Sequence, residues 1–210
     1  MDGVYAFPFH LSTPICRQVE GSTAMAADTK DRIMEAARLT VQDLGYSGLS
    51  FRELAKDVGI KSASIHYYFP TKGELGAALA RRYTAHYADY LDGLLTQGLN
   101  IEACMARYTD VFANTLRKDN RMCLAGILGA ERNELPEEVQ TEVVKYGEMN
   151  ERWLARVLAM REPAEPEETH RRARAIYAAV QGAQLIAHSR GDVSVYEEII
   201  ATYRANGLIP

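Results

Sequence analysis

From residue 28 onward the chain repeats its apolar residues at steps of three and four, and nowhere alternates them over a convincing strand length. Ile33, Ala36, Ala37, Val41 and Leu44 mark one face of a first helix over about 29–45, which Gly45 ends. Ser50 and Glu53 form a capping-box pattern, and Phe51, Leu54, Ala55 and Val58 give the inner face of a second helix. Gly59 then breaks the chain, and a short third helix covers about 62–68. Thr71 and Glu74 make another capping box, opening a long fourth helix to about 96. Residues 101–117 and 121–133 read as two more. Pro136 at a first-turn position, followed by Glu137 and Glu138, opens a helix to about 160. Pro163 and Pro166 punctuate, and helices over 167–189 and 194–205 complete the series, the last with Ser194 and Glu197 as a capping box. The pattern predicts an all-α fold of about nine helices.

Residues 1–27 do not follow this pattern. They mix Gly3, Pro8, Pro14, Gly21 and a polar Glu-Gly-Ser-Thr stretch, and are expected to form a flexible N-terminal tail. Met25 opens Met-Ala-Ala-Asp-Thr just before the first helix, as a natural start would, so residues 1–24 are a candidate extension. A DNA-touching arm is the alternative, although its only cation is Arg17. The apolar patch Val4–Leu11 has no preceding positive region and contains Pro8, which argues against a signal peptide.

Length and composition narrow the class. The chain has 210 residues, 47% of them hydrophobic and 25% charged, which is enough for a stable core without staples. Cys16, Cys104 and Cys123 are too few and too scattered for a disulfide framework or a zinc site, and reduced thiols fit a cytoplasmic protein. No run reaches the ~18 apolar residues of a membrane span. The net charge of -4 is unusual for a nucleic-acid binder. It is unevenly spread: residues 26–75 hold seven basic and seven acidic residues, whereas 76–210 hold 16 and 19.

Function is most legible in residues 50–75, SFRELAKDVGIKSASIHYYFPTKGEL. Two short amphipathic helices meeting at a tight Gly59 turn have helix-turn-helix anatomy. Ser62, Ala63 and Ser64 are small enough to let the third helix approach base edges, and its first amides favour phosphate oxygens. Lys61 and Lys72 bracket it with charge, and Tyr67 can offer its hydroxyl to a phosphate or its ring edge to a thymine methyl. A plain helical hairpin packed on a bundle would not call for a Ser-Ala-Ser start beside clustered aromatic and cationic residues.

The run Ile65-His66-Tyr67-Tyr68-Phe69-Pro70-Thr71-Lys72-Gly73-Glu74-Leu75, preceded by Leu54-Ala55-x-x-x-Gly59-Ile60, resembles the tetracycline-repressor-like (TetR/AcrR) family of bacterial regulators. The resemblance covers about residues 29–75. It implies a three-helix DNA-binding domain at 28–75 and a helical ligand-binding and dimerisation domain at 76–210. It implies base-facing roles for Lys61, Ser62, Ala63, Ser64 and Tyr67, and phosphate contacts from Arg52, Lys72 and the Thr71 end of the fourth helix. His66 stands where the family usually has Tyr, so it either reaches DNA or faces solvent and packs on its helix. Gly73 replaces a common acidic residue, which should weaken the start of the fourth helix.

The resemblance further implies an effector pocket inside the bundle and a homodimer formed by the last two helices. Small residues at Ala173, Ala175, Ala178, Ala179, Gly182, Ala183 and Ala187, with Ile199, Ile200 and Tyr203, supply a close-packing face for such a dimer or for a helix buried within one subunit. Pocket candidates are Tyr108, Met122, Cys123, Trp153, Tyr177, Gln181, Gln184 and His188; for each taken singly, ordinary packing competes with ligand binding. Cys123 begins a Cys-Leu-x-Gly-x-x-x-x-Glu stretch resembling one in electrophile- and oxidant-sensing members of the family. A thiol near a helix start, with Arg121 beside it, can react as thiolate; a small buried hydrophobe is the competing reading.

The expected protein is therefore a one-component regulator, most simply a repressor. It would bind double-stranded DNA at a palindromic operator and be released by a small-molecule inducer, with no cofactor, metal or membrane. A bundle enzyme is disfavoured because there is no His-Glu-x-x-His spacing, no phosphate loop and no nucleophile–base pair.

Overall fold

A computed structural model of the chain describes residues 21–161 and 165–210, with side chains from residue 27 onward. Among the described residues the regular structure is entirely helical. The helices are α1 (Gly21–Leu44), α2 (Phe51–Val58), α3 (Ser62–Tyr68), α4 (Lys72–Thr96), α5 (Ile101–Arg117), α6 (Leu124–Ala130), α7 (Glu137–Leu158), α8 (Pro166–Arg190) and α9 (Val193–Ala205). A single 3₁₀ turn, Arg132–Glu134, joins α6 to α7.

Two buried clusters organise the molecule. The first joins Ile33, Ala37 and Val41 of α1, Leu54 and Val58 of α2, Ile65 of α3, and Leu75 and Leu79 of α4. Leu124 and Leu128 of α6, Leu135, and Val139 of α7 enter the same cluster. The second fills the bundle of α4, α5, α7, α8 and α9. Helix α4 supplies residues to both, and its long packing against α7 is the spine of the fold. Each large side chain fully buried in this way contributes roughly 1.5–3 kcal/mol. The motif ends at residue 75, but packing runs on across that position into α6 and α7.

Helix ends show where local pattern and tertiary context diverge. The Thr71 hydroxyl accepts from the Glu74 amide at 3.0 Å, as the capping box requires. Ser50 precedes α2 in extended conformation but makes no capping bond with its side chain. At α9 the cap is Asp192, whose carboxylate accepts from the Ser194 amide at 2.9 Å, and not Ser194 itself. A carboxylate two residues upstream is the stronger acceptor for the free amides. Pro136 sits just before α7 rather than inside its first turn. The span expected as one helix over 121–133 is interrupted: Arg121–Cys123 is extended into the cap of α6, and the 3₁₀ turn follows. Helix α1 starts at Gly21 rather than near 29, because Met25, Ala26 and Ala27 are good helix formers with no proline among them. The remainder of the expected tail, with Cys16, Arg17 and the Val4–Leu11 patch, lies outside the described residues.

Candidate functional site

The helix-turn-helix is built from short-range chemistry. Gly59 ends α2 at φ 74°, a left-handed conformation a side chain would resist, and Ile60 N–H returns to Ala55 O at 2.9 Å. The Arg32 guanidinium of α1 donates to Val58 O, satisfying a carbonyl at the same end. Ile65 and Phe69 are buried against α1 and α2 and fix the orientation of α3. The opposite face of α3 is open.

On that open face lie Lys61, Ser62, Ala63, His66 and Tyr67, with Ser64 half-buried at its edge. Tyr67 is 79% exposed, and its ring is braced edge-on by Tyr68 at 5.2 Å. So large an exposed aromatic serves no packing purpose within the chain. Arg52 projects from α2 into solvent. His66 packs edge-on against Phe51 at 4.8 Å, and its Nδ1 lies 3.3 Å from Pro70 O, so the helix-packing alternative describes its contacts. Thr71 is exposed, although its hydroxyl oxygen is engaged as the cap. The Lys72 ammonium lies 4.5 Å above the Tyr46 ring and donates to Ser47 O at 3.3 Å. Burial pulls its pKa down, against the opposing charge of Glu131.

Sequence reading passed over Lys30. Its ammonium sits 5.5 Å over the Phe69 ring, at the end of α3. Thirty-nine residues separate the pair, and only the docking of α1 beside α3 brings this cation to the end of α3. Gly73 was expected to weaken α4. Instead it is buried, and an added Cβ there would lie 2.0 Å from Glu138 Oε1 and 3.4 Å from Pro136 Cβ. Its smallness admits the start of α7.

The family of bacterial regulatory proteins of the tetR type matches residues 33–79, which is this same three-helix unit. A TetR transcriptional regulator from Legionella pneumophila superposes with a TM-score of 0.80 at 28% identity, over 92% of this chain and 100% of that one. Residues 33–79 are thus a unit of the tetR type, and the whole chain has the fold of a TetR-family regulator. That is a family of DNA-binding regulators and not of enzymes. It is also similar to the probable HTH-type transcriptional regulator YttP of Bacillus subtilis, 38% identical over 68 residues, or 32% of this chain and 33% of that protein. The transcriptional regulator AcuR of Cereibacter sphaeroides is 28% identical over 103 residues, 48% of this chain and 47% of its own. The chain thus aligns with about a third to a half of the length of these curated relatives.

Within the helical bundle the eight pocket candidates divide. Tyr108, Cys123, Tyr177 and Gln181 belong to a tyrosine-rich interior with Tyr83, Tyr87 and Tyr146. The Cys123 sulfur is 3.5 Å from both the Tyr83 and Tyr146 hydroxyls. Burial pushes the Tyr87, Tyr108 and Tyr146 hydroxyls well above their usual pKa, so they stay neutral. The Tyr87 hydroxyl and the Gln181 amide nitrogen are buried without a hydrogen-bond partner. The other candidates hold the fold together. Gln184 accepts from Cys123 N–H and donates to Phe112 O, both at 3.1 Å. Trp153 donates to Leu91 O at 2.8 Å. His188 Nδ1 lies 2.6 Å from Asn120 O. Met122 is buried, and its carbonyl accepts from Gln42 at 2.6 Å.

Sequence reading missed Tyr83, Tyr87, Tyr146 and Asn150, whose buried amide oxygen accepts from the Tyr108 hydroxyl at 3.1 Å. The i, i+4 spacing of Tyr83 with Tyr87 on α4, and of Tyr146 with Asn150 on α7, was the available signal. Cys123 does stand at the cap of α6, but it is 1% exposed. Arg121 does not attend it, because its guanidinium is held by Asp43 at 2.6 Å and Asp119 at 2.9 Å.

The expected dimer face also divides. Ala173, Ala183, Ala187 and Ile200 are buried in the chain's own core, and Ile199 and Tyr203 pack against it. Ala175, Ala178, Gly182, Leu185 and Ser189 of α8 are exposed and fall at steps of three and four. Within this stripe Leu185 is 52% exposed, and Ile186 beside it is 44% exposed. No described helix is long and apolar enough to cross a membrane, and no described group of His, Cys, Asp or Glu could hold a metal ion.

Proposed function

We propose that this chain is a dimeric one-component repressor whose α3 helices read a palindromic operator and whose bundle responds to a small molecule. The observation that carries the DNA reading is the outer face of α3: small residues, a cation and a nearly free tyrosine on a helix whose inner face is locked. Lys61, Ser62, Ala63, Ser64 and Tyr67 are the base-facing set, and Arg52, Lys72 and the Thr71 end of α4 meet phosphate, with Lys30 added. A two-fold dimer spaces its α3 helices about 34–36 Å apart, in successive major grooves.

The exposed α8 stripe supports the dimer. Gly182 has no heavy atom within 4 Å of an added Cβ, so its lack of a side chain serves nothing within one subunit and suits close approach by a second helix. Effector binding is supported by the unpaired Tyr87 and Gln181 groups, since a buried polar group without a partner is costly and a ligand can satisfy it. The effector would favour a separation of the two heads that the operator does not match, and effector and DNA then weaken each other reciprocally. The soluble bundle and the absence of any membrane-length helix among the described residues suit a cytoplasmic site of action.

The test is binding of the purified chain to DNA from upstream of its own gene at two salt concentrations. Saturable, salt-sensitive binding is expected, weakened about fivefold or more by Tyr67→Ala, since one base-reading contact contributes ~1–3 kcal/mol. Binding that ignores both salt and Tyr67→Ala would overturn the assignment.

A further inference from the structure

A cavity of about 80 Å³ lies where the DNA-binding unit meets the bundle. It is lined by Arg38 and Gln42 of α1, Tyr83 of α4, Asn114 and Thr115 of α5, and Lys118 and Arg121 of the loop that follows. Three of these seven are cations, the other four carry amides or hydroxyls, and none is acidic. Arg38 is turned toward Glu35 and Gln42, and Arg121 toward Asp43 and Asp119. Lys118 has no carboxylate partner among the described residues. Arg121 spends three N–H groups on Asp43 and Asp119, leaving two of the five that a guanidinium carries.

The loop is held in an unusual shape. Asp119 and Asn120 both have positive φ, 59° and 53°, in succession. Asp and Asn accept this conformation better than other side chains, but two together still imply strain of the kind found at functional sites. The strain is fixed from α8, where Asn120 donates to His188 O at 3.0 Å. Its effect is to turn Lys118 and Arg121 onto the same cavity.

From this geometry we infer that the cavity is a binding site for a small oxyanion of carboxylate or phosphate type, separate from the tyrosine-rich interior. The space holds several water molecules and so accommodates an ion of a few heavy atoms. Lys118 supplies the uncompensated charge, and the two remaining Arg121 N–H groups and the Asn114 amide complete the coordination, because the Tyr83 and Thr115 hydroxyls donate to Cys123 and to Val111 O. The site also reaches the DNA-binding unit. Asp43 is near the end of α1, and its ion pair with Arg121 ties α1 to the bundle beside the Gln42–Met122 hydrogen bond. An oxyanion competes with Asp43 for the same guanidinium and so loosens that tie. Any consequence for operator binding rests on the proposed regulatory function; the binding itself does not.

The experiment is calorimetric titration of the full chain with inorganic phosphate and, separately, acetate, at ionic strength held constant with chloride. Saturable binding of at least one is expected, and the tighter of the two identifies the phosphate or carboxylate source. Lys118→Gln, at an exposed position, should leave the circular dichroism spectrum unchanged and weaken binding about tenfold or more. Asp43→Asn should tighten it by freeing Arg121. No saturable heat above chloride with either anion, or equal affinity in Lys118→Gln, overturns the site. An affinity that Asp43→Asn leaves unchanged overturns its coupling to α1. None of these readouts uses DNA, so failure of the site and failure of operator binding are distinguishable.

Discussion

Gln181 and Gln184 lie three residues apart on α8, yet the same substitution should act on them in opposite directions. Gln184 is fully buried and uses both ends of its amide: Oε1 accepts from Cys123 N–H and Nε2 donates to Phe112 O, each at 3.1 Å. Methionine has nearly the same length and volume, so Gln184→Met opens little cavity. It does strand the Cys123 N–H in the interior. The Phe112 carbonyl keeps its intrahelical partner in α5, so the loss there is smaller. A stranded buried donor costs about 1–3 kcal/mol. For a chain of this length each kcal/mol lowers Tm by about 2–4 °C. Gln181, by contrast, has a buried amide nitrogen that makes no well-formed hydrogen bond and only approaches the Tyr177 hydroxyl, so Gln181→Met loses little and should leave Tm nearly unchanged or raise it. Thermal and urea unfolding of both variants is the assay, at one protein concentration because the proposed dimer would make stability depend on it. Equal destabilisation by the two substitutions would refute the reasoning, because it would mean that volume and not hydrogen bonding governs this helix face.

Other expectations follow from the same geometry. An added Cβ at Gly76 lies 2.8 Å from Tyr46 Cε2 and 2.9 Å from Val139 Cγ2, so Gly76→Ala should lower Tm by overpacking of about 1–3 kcal/mol. Gly93→Ala, on the same helix with open space around it, should raise stability by roughly 0.5–1 kcal/mol; the reverse order would contradict the packing described. Burial pushes the Glu142 carboxyl up, but hydrogen bonds from Lys145 and Arg81 outweigh it and hold its pKa below the usual 4.5. The stabilisation is therefore present above pH 4.5 and is lost as pH falls through the depressed value, and unfolding of Glu142→Gln should show a flatter acid limb. Leu185→Arg should give a folded monomer in sedimentation, since Leu185 is half-exposed in one chain; an unchanged dimer would move the interface off α8.

The helix-turn-helix was legible in the sequence because its determinants are local. The Gly59 turn, the Thr71 cap and the three-and-four spacing of Leu54, Ala55 and Val58 act within a few residues, and the structure bears them out. The helix count and the order of elements follow from the same periodicity. Where a cap depended on which of two neighbouring side chains wins the free amides, as at Asp192 and Ser194, pattern alone chose wrongly. What the sequence could not decide is which side of each bundle helix faces inward. Helix α8 carries small residues around much of its circumference, so Ala173, Ala183 and Ala187 looked equivalent to Ala175, Ala178 and Gly182. Only packing against α5, α7 and α9 separates the buried set from the exposed one. The same holds for Lys30 over Phe69, for Arg121 pairing with Asp43 rather than attending Cys123, and for the cation-lined cavity at the α1–bundle junction. Each brings together residues tens of positions apart, and no periodicity along the chain records a contact that exists only once the helices have docked.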